Sequence, residues 1–224
     1  MATTLRQAGW PHMACVLLKW AIDHEVVDAY VMADLVKGQL VLGDFEGAER
    51  TFRLARQWCL LSEPIYTTLL NAYGKAGDLR KAERLLEEAT ARGLAGRFTY
   101  TALIDAYGRS GDIRAACDVF EVARRRGLLH CGSYTALVNA LGKRGRLSDA
   151  ERLFQEARSL GFVNQRTITA LLAGYARAQE WEPARVVFNE ACAAGIADSH
   201  MLRILARAPW PVHPDRIARR RTED

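Results

Sequence analysis

The chain contains no run of about 20 apolar residues, the length a helix needs to span a bilayer, although half of its 224 residues are hydrophobic. A helical membrane span is therefore excluded. Cysteine is sparse: Cys15, Cys59, Cys117, Cys131 and Cys192 are odd in number, widely spaced and form no Cys-x-x-Cys pair. That pattern argues against a disulfide framework and predicts unpaired thiols, most of them at small apolar positions of helices. The five histidines, His12, His24, His130, His200 and His213, stand at ligand spacing neither from a cysteine nor from one another. No metal site is expected. Met1 to Arg6 hold one basic residue and no apolar run, so neither a secretory signal nor a transit peptide is visible. Charge of one sign is only mildly in excess: +5 with a pI near 9.1, which admits a polyanionic partner without requiring one.

Repetition is what the chain has in abundance. Tyr66, Tyr100, Tyr134 and Ile168 stand 34 residues apart, as do Gly77, Gly111, Gly145 and Gln179. Ala82, Ala116, Ala150 and Ala184 follow the same period, and so do Gly93, Gly127, Gly161 and Gly195. Columns that repeat without insertion make the repeat the unit of structure, with each unit burying its apolar face against its neighbours. Function is then expected on a surface to which every repeat contributes.

Within one period, Ile65, Tyr66, Leu69, Leu70 and Tyr73 recur at helical spacing and predict a first amphipathic helix. Gly77-Asp78 supplies a turn and an N-cap. Leu79, Ala82, Leu85, Leu86 and Ala89 predict a second helix that stops at Arg92-Gly93 with a basic last turn. The alanine column fits the point where paired helices approach within 8–10 Å. The expected organisation is a degenerate unit at 29–62, full units at 63–96, 97–130, 131–164 and 165–198, and a partial unit at 199–208. A Pro-containing basic tail, 209–224, follows, with Pro209, Pro211 and Pro214 breaking the helical pattern. Backwards, Gly9, Ala14, Leu18 and Ala21 fall in register, so residues 1–28 read as a partial first repeat. A piece of a longer array and an array with an incomplete first unit both fit that register.

Paired helices of this period are shared with tetratricopeptide repeats, but Leu70, Ile104, Val138 and Leu172 are bulky where that family places a small residue. The unit endings Ala-Arg-Gly-Leu, Arg-Arg-Gly-Leu, Ser-Leu-Gly-Phe and Ala-Ala-Gly-Ile also lack its Asp-Pro link. Tyr-Thr-Thr-Leu-Leu-Asn-Ala-Tyr-Gly-Lys-Ala-Gly (66–77) and Tyr-Thr-Ala-Leu-Ile-Asp-Ala-Tyr-Gly-Arg-Ser-Gly (100–111) resemble the pentatricopeptide repeat, a resemblance covering about 29–200. The units depart from that family in being one residue short and in lacking its loop proline.

The resemblance implies an all-α, right-handed solenoid of helix-turn-helix repeats whose first helices bind single-stranded RNA, one base per repeat. It implies base contacts by Thr67, Thr101, Thr135 and Thr169 together with the last residue of each unit, Gly96, His130, Asn164 and Asp198. Thr135 with Asn164 resembles an adenine pairing and Thr169 with Asp198 a guanine pairing, and the four threonines lean towards purines. It further implies phosphate contacts by Lys75, Arg109, Lys143 and Arg177, and puts Pro64, Phe98, Gly132 and Arg166 at the base-clamping positions, where Gly132 has no side chain to clamp with.

The charge count agrees with that face. The first helices carry Lys75, Arg97, Arg109, Lys143, Arg144, Arg166 and Arg177 against Glu63 and Asp105, whereas the second helices are about neutral. Each threonine also has a simple helical role, capping a free amide of the first turn, and each terminal cation stabilises a helix dipole. Enzymatic relatives carry an added domain, and nothing after Leu205 supplies the His-x-Glu and Cys-x-x-Cys of a zinc deaminase. Glu87, Glu88, Glu180 and Glu182 read as solvated charges. The expectation is thus a non-enzymatic RNA-binding protein without cofactor, placed by resemblance in mitochondrion or chloroplast and otherwise cytoplasmic. A peptide- or protein-binding scaffold, holding an acidic segment on the same cations, is the alternative.

Overall fold

The computed structural model describes residues 28–209 together with Val16 and Trp20. Every regular element among them is helical: α1 (Ala29–Val41), α2 (Phe45–Gln57), α3 (Glu63–Ala76), α4 (Leu79–Ala91), α5 (Arg97–Ser110), α6 (Ile113–Arg125), α7 (Cys131–Lys143), α8 (Leu147–Ser159), α9 (Gln165–Ala178), α10 (Trp181–Ala193) and α11 (Ser199–Ile204), followed by a 3₁₀ turn at Leu205–Arg207. The expected all-α class is therefore found. The partial repeat marked by Gly9, Ala14, Leu18 and Ala21, and the basic run Arg216–Arg221, lie outside the described residues. The chain divides into two compact units, Met1–Ala106 and Tyr107–Asp224, with the division inside α5. Within each unit a first helix packs on its own second helix and on the next first helix: α1 on α2 and α3, and α7 on α8 and α9.

Two kinds of turn make the hairpins. At the inner turn Gly43, Gly77 and Gly111 adopt left-handed geometry (φ 79°, 79° and 88°). The following aspartates then accept N–H bonds from Gly47, Lys81 and Ala115 at 2.8, 3.1 and 3.0 Å. The later inner turns are weaker. Arg146 and Glu180 make no side-chain cap, and Gln179 takes the left-handed position at φ 61°, which costs a non-glycine residue about 1–2 kcal/mol.

At the outer turn Gly93 takes φ 71° and the Leu94 N–H reaches back to Ala89 O at 2.8 Å. The same bond recurs from Leu128, Phe162 and Ile196 to Ala123, Ala157 and Ala191. This is the Schellman closure, and it gives the glycine-apolar ending its physical reason. Cys59 is an exception to the placement of most cysteines at small apolar helical positions. It is exposed and stands in the outer-turn glycine column at φ 57°. Arg92 also lies just beyond its helix, as the C-cap of α4, rather than in a basic last turn.

The alanine column Ala82, Ala116, Ala150 and Ala184 is fully buried. So are Tyr66, Tyr100 and Tyr134, and Phe52 and Phe120 meet Tyr66 and Tyr134 edge-on at 5.4 and 5.2 Å between ring centroids. The tyrosine hydroxyls are not left bare. Tyr66 and Tyr134 donate to Glu88 and Glu156 at 3.1 and 2.7 Å, and Tyr73 and Tyr175 donate to Glu49 and Glu151 at 2.5 and 2.6 Å.

These buried phenols make the fold alkali-sensitive. Burial, reinforced by the Glu88 carboxylate, pushes Tyr66 up to about 12, and burial beside a glutamate pushes Tyr73, Tyr134 and Tyr175 up as well. A phenol whose value is raised on folding contributes stability that is fully present below its ordinary value of 10.0 and is lost as the pH climbs towards about 12. The melting temperature is therefore expected to hold to near pH 10 and then fall steeply. Tyr66→Phe should blunt that fall while losing about 1 kcal/mol at neutral pH with its hydrogen bond. Melts followed by circular dichroism across the alkaline range check this, and identical alkaline profiles for the two proteins would refute it.

Candidate nucleic-acid interface

The threonine column lies one turn into each first helix and is half-buried at all four positions. Its hydroxyls do not cap amides. Thr101, Thr135 and Thr169 donate instead to the carbonyls of Arg97, Cys131 and Gln165, four residues back, at 2.9, 2.8 and 2.8 Å. The reason is position: the fifth helical residue is past the unpaired amides of the first turn but within reach of the carbonyl one turn earlier. With its proton so committed, a threonine oxygen is left to act as an acceptor.

Within the first unit, Thr67 Oγ1 lies 3.3 Å from Thr99 Oγ1, and Thr99 is fully buried in the first turn of α5. Gly96 precedes that helix, half-buried. Thr101 also belongs to this unit.

In the second unit, His130 is the N-cap of α7, extended at φ −153°, with Nδ1 3.0 Å from Ser133 Oγ. Asn164 caps α9 in a reciprocal capping box with Thr167. Thr167 Oγ1 is 3.0 Å from Asn164 Oδ1 and 2.8 Å from Thr135 Oγ1, so Thr135 and Asn164 are joined through one buried hydroxyl. Thr169 and Asp198 are joined through Gln165, whose carbonyl accepts from Thr169 and whose amide Nε2 donates to Asp198 Oδ2 at 2.7 Å. Asp198 Oδ1 caps α11 by accepting from the Met201 N–H at 2.8 Å.

Lys75, Arg109, Lys143 and Arg177 are all exposed in the last turn of α3, α5, α7 and α9. Lys75, Lys143 and Arg177 enter no ion pair among the described residues. Some second-helix cations are paired, whereas Arg53, Arg80, Arg84, Arg114 and Arg125 enter no ion pair among the described residues. Arg56, Arg124 and Arg158 pair with Glu88, Glu156 and Glu190 of the next second helix, and Lys81 with Glu49 of the preceding one. One first-helix cation, Arg144, is already committed, donating to Ser110 O at 3.2 Å.

Of the clamp positions, Phe98 is 55% exposed and offers an aromatic face, Arg166 and Pro64 are exposed, and Gly132 has no side chain to offer. Among the described residues no cluster of His, Cys, Asp and Glu could hold a metal ion, and no helix is long and apolar enough to cross a membrane.

Stacked helical hairpins with repeating caps, a repeating hydroxyl column and a repeating cation column define a helical-repeat protein. Residues 64–94, 98–128 and 132–162 match the family model of the PPR repeat. Residues 64–162 thus carry three consecutive PPR repeats. Solved structures share its α-solenoid fold. One is the pentatricopeptide repeat protein PPR10 in complex with an 18-nt psaJ RNA element, at 24% identity and a TM-score of 0.67 over 92% of this chain and 31% of that one. PPR10 from maize gives 22% and 0.63 over 84% and 28%, and nuclear proteinaceous RNase P 2 (PRORP2) from A. thaliana gives 12% and 0.59 over 79% and 41%. The chain thus spans about a third of the length of PPR10, and at these identities the likeness is one of fold. No curated protein matches the sequence.

Proposed function

We propose that the chain binds single-stranded RNA on its first helices by base recognition, without catalysis and without a cofactor. The observation that carries this is the column of exposed cations in the last turns of the first helices. Arg56, Arg124 and Arg158 of the second helices pair with glutamates of neighbouring second helices, whereas Lys75, Lys143 and Arg177 stand exposed at the same place in their units with no ion pair among the described residues. Arg109 completes the column. Helix-dipole stabilisation accounts for each cation singly, at about 0.3–1 kcal/mol, but not for a cation at the same position of all four full units. PPR10, which shares the fold, is described bound to an RNA element.

Base contacts fall to Thr67, Thr101, Thr135 and Thr169 with Gly96, His130, Asn164 and Asp198, and the preference leans to purines. In this reading the Thr135–Asn164 step takes adenine and the Thr169–Asp198 step guanine, whose ring N–H suits an acceptor-only carboxylate. Phe98 stacks on a base, a contact worth about 1–3 kcal/mol. Through the family resemblance we place the RNA in a mitochondrion or plastid, as a transcript processed, stabilised or translated there.

Titration of the purified chain with fluorescent purine-rich RNA, pyrimidine-rich RNA and an acidic peptide, each at two salt concentrations, tests the proposal. Salt-sensitive binding of RNA, tighter for the purine-rich strand, is expected. Binding of the peptide with none of either RNA, even at low salt, would establish the protein-binding alternative instead.

A further inference from the structure

Thr67 and Gly96 form the one step in which the last residue of the unit has no side chain, yet the structure puts a carboxylate there. Glu63, the first residue of α3, lies over Gly96, and its Oε1 accepts from the Phe98 N–H at 3.3 Å. A Cβ on Gly96 would stand 2.5 Å from Glu63 Oε2 and closer still to Cδ and Oε1. Gly96 is not among the residues with positive φ, so its backbone does not call for glycine. What the absent side chain makes room for is the Glu63 carboxylate.

The unit 165–198 shows the same reach in reverse. There Gln165, at the position equivalent to Glu63, extends to Asp198, at the position equivalent to Gly96. First and last residues of a unit thus meet at one locus, and in both units a carboxylate occupies it, carried by the last residue in one and by the first in the other. Glu63 and Thr67 are four residues apart on α3 and so lie on one helix face. Glu63 Oε2 makes no hydrogen bond among the described residues, and the residue is only half-buried.

We infer that Glu63 is the specificity-determining residue of the first full unit, standing in for the missing side chain of Gly96 and selecting guanine beside Thr67. The inference rests on the RNA-binding reading above. A carboxylate accepts and cannot donate, and guanine alone among the four bases presents two adjacent donors, N1–H and the N2 amino group, on its Watson–Crick edge. Adenine and cytosine each place an acceptor nitrogen beside their amino group, and uracil flanks its single N–H with two carbonyls. Each of these turns an acceptor towards the carboxylate. A bidentate, charge-assisted pair with guanine is the best match.

The test uses the full chain and a set of short single-stranded RNAs in which each position in turn carries each of the four bases. Wild type is expected to show a guanine preference at one position that Glu63→Gln reduces about 10-fold or more, with the preferences at the other positions intact. In that variant the side-chain amide oxygen can still accept from the Phe98 N–H, so the melting temperature should stay near wild type. The double variant Glu63→Ala/Gly96→Asp returns a carboxylate to the last residue, into the space vacated, and should restore guanine at that position. If Glu63→Gln leaves every preference unchanged, or weakens all four bases equally, Glu63 is a structural cap and the inference is overturned while RNA binding stands. If wild type binds none of the RNAs at low salt, the proposed function itself fails and this inference with it.

Discussion

Replacing Lys75, Arg109, Lys143 and Arg177 together by alanine is expected to weaken single-stranded RNA binding on the order of 10²–10³-fold near 0.1 M salt. It should also flatten the plot of log affinity against log salt by about 3, since each cation that neutralises a phosphate of a single strand contributes about 0.7 to that slope. The four side chains are exposed at first-helix ends, and the column recurs with the repeat. Each loss also removes about 0.3–1 kcal/mol of helix-dipole stabilisation, so circular dichroism must show the variant folded at the assay temperature. The companion variant Arg56→Ala/Arg124→Ala/Arg158→Ala removes cations already paired with Glu88, Glu156 and Glu190. It should lose some stability and leave the salt slope alone. Equal slopes for wild type and the first variant would remove the phosphate-binding role from the column.

The largest expected loss of stability comes from packing between first helices of the second unit. A Cβ on Gly142 of α7 would stand 3.1 Å from the Gly174 Cα of α9. One on Gly174 would meet the Gly142 Cα of α7 at 3.1 Å and Leu147 at 3.2 Å. Both residues are buried, as are Gly108 and Ala140, where an added Cβ on Gly108 would lie 2.7 Å from the Ala140 Cβ. Gly174→Leu should therefore destabilise by about 1–3 kcal/mol through overpacking, although replacing a helical glycine ordinarily favours a helix by about 1 kcal/mol. Ala116→Leu, at a fully buried position of the alanine column, should act in the same direction. A lower urea midpoint with an unchanged m-value is the expected observation. A midpoint equal to wild type for Gly174→Leu would show that α7 and α9 are not held at this separation.

The hairpins were legible because their causes are local. An apolar stripe at helical spacing, an aspartate after a glycine, and a glycine followed by an apolar residue each act within a few residues, and α3, α4 and their turns form where those signals fall. The glycine contacts between first helices were not legible, because Gly142 in one unit meets Gly174 in the next and the column of Gly174 holds alanine in the earlier units. No single repeat shows the pair.

For the candidate site, the columns were visible in the sequence but the hydrogen bonding was not. The period places Thr135 and Thr169 correctly on a helix face, yet only the backbone shows that their protons go to carbonyls. Arg144 counts as a groove cation in the sequence and proves to be tied to the Ser110 carbonyl. Glu63 was counted as a stray negative charge, and its approach to Gly96 depends on chain folding back over a whole hairpin. The signal that could have exposed it was Gly96 itself, a glycine at a helix start where the other units carry histidine, asparagine and aspartate.

The central claim is that RNA lies on the first helices. Photo-crosslinking of the full chain to a purine-rich single-stranded RNA, with the adducts mapped by mass spectrometry, tests it most directly. Adducts are expected at the starts of first helices, on peptides containing Phe98 and Thr101 or Thr135 and on those around Thr169. Adducts confined to the second helices α4, α6, α8 and α10, or none at low salt, would contradict the claim.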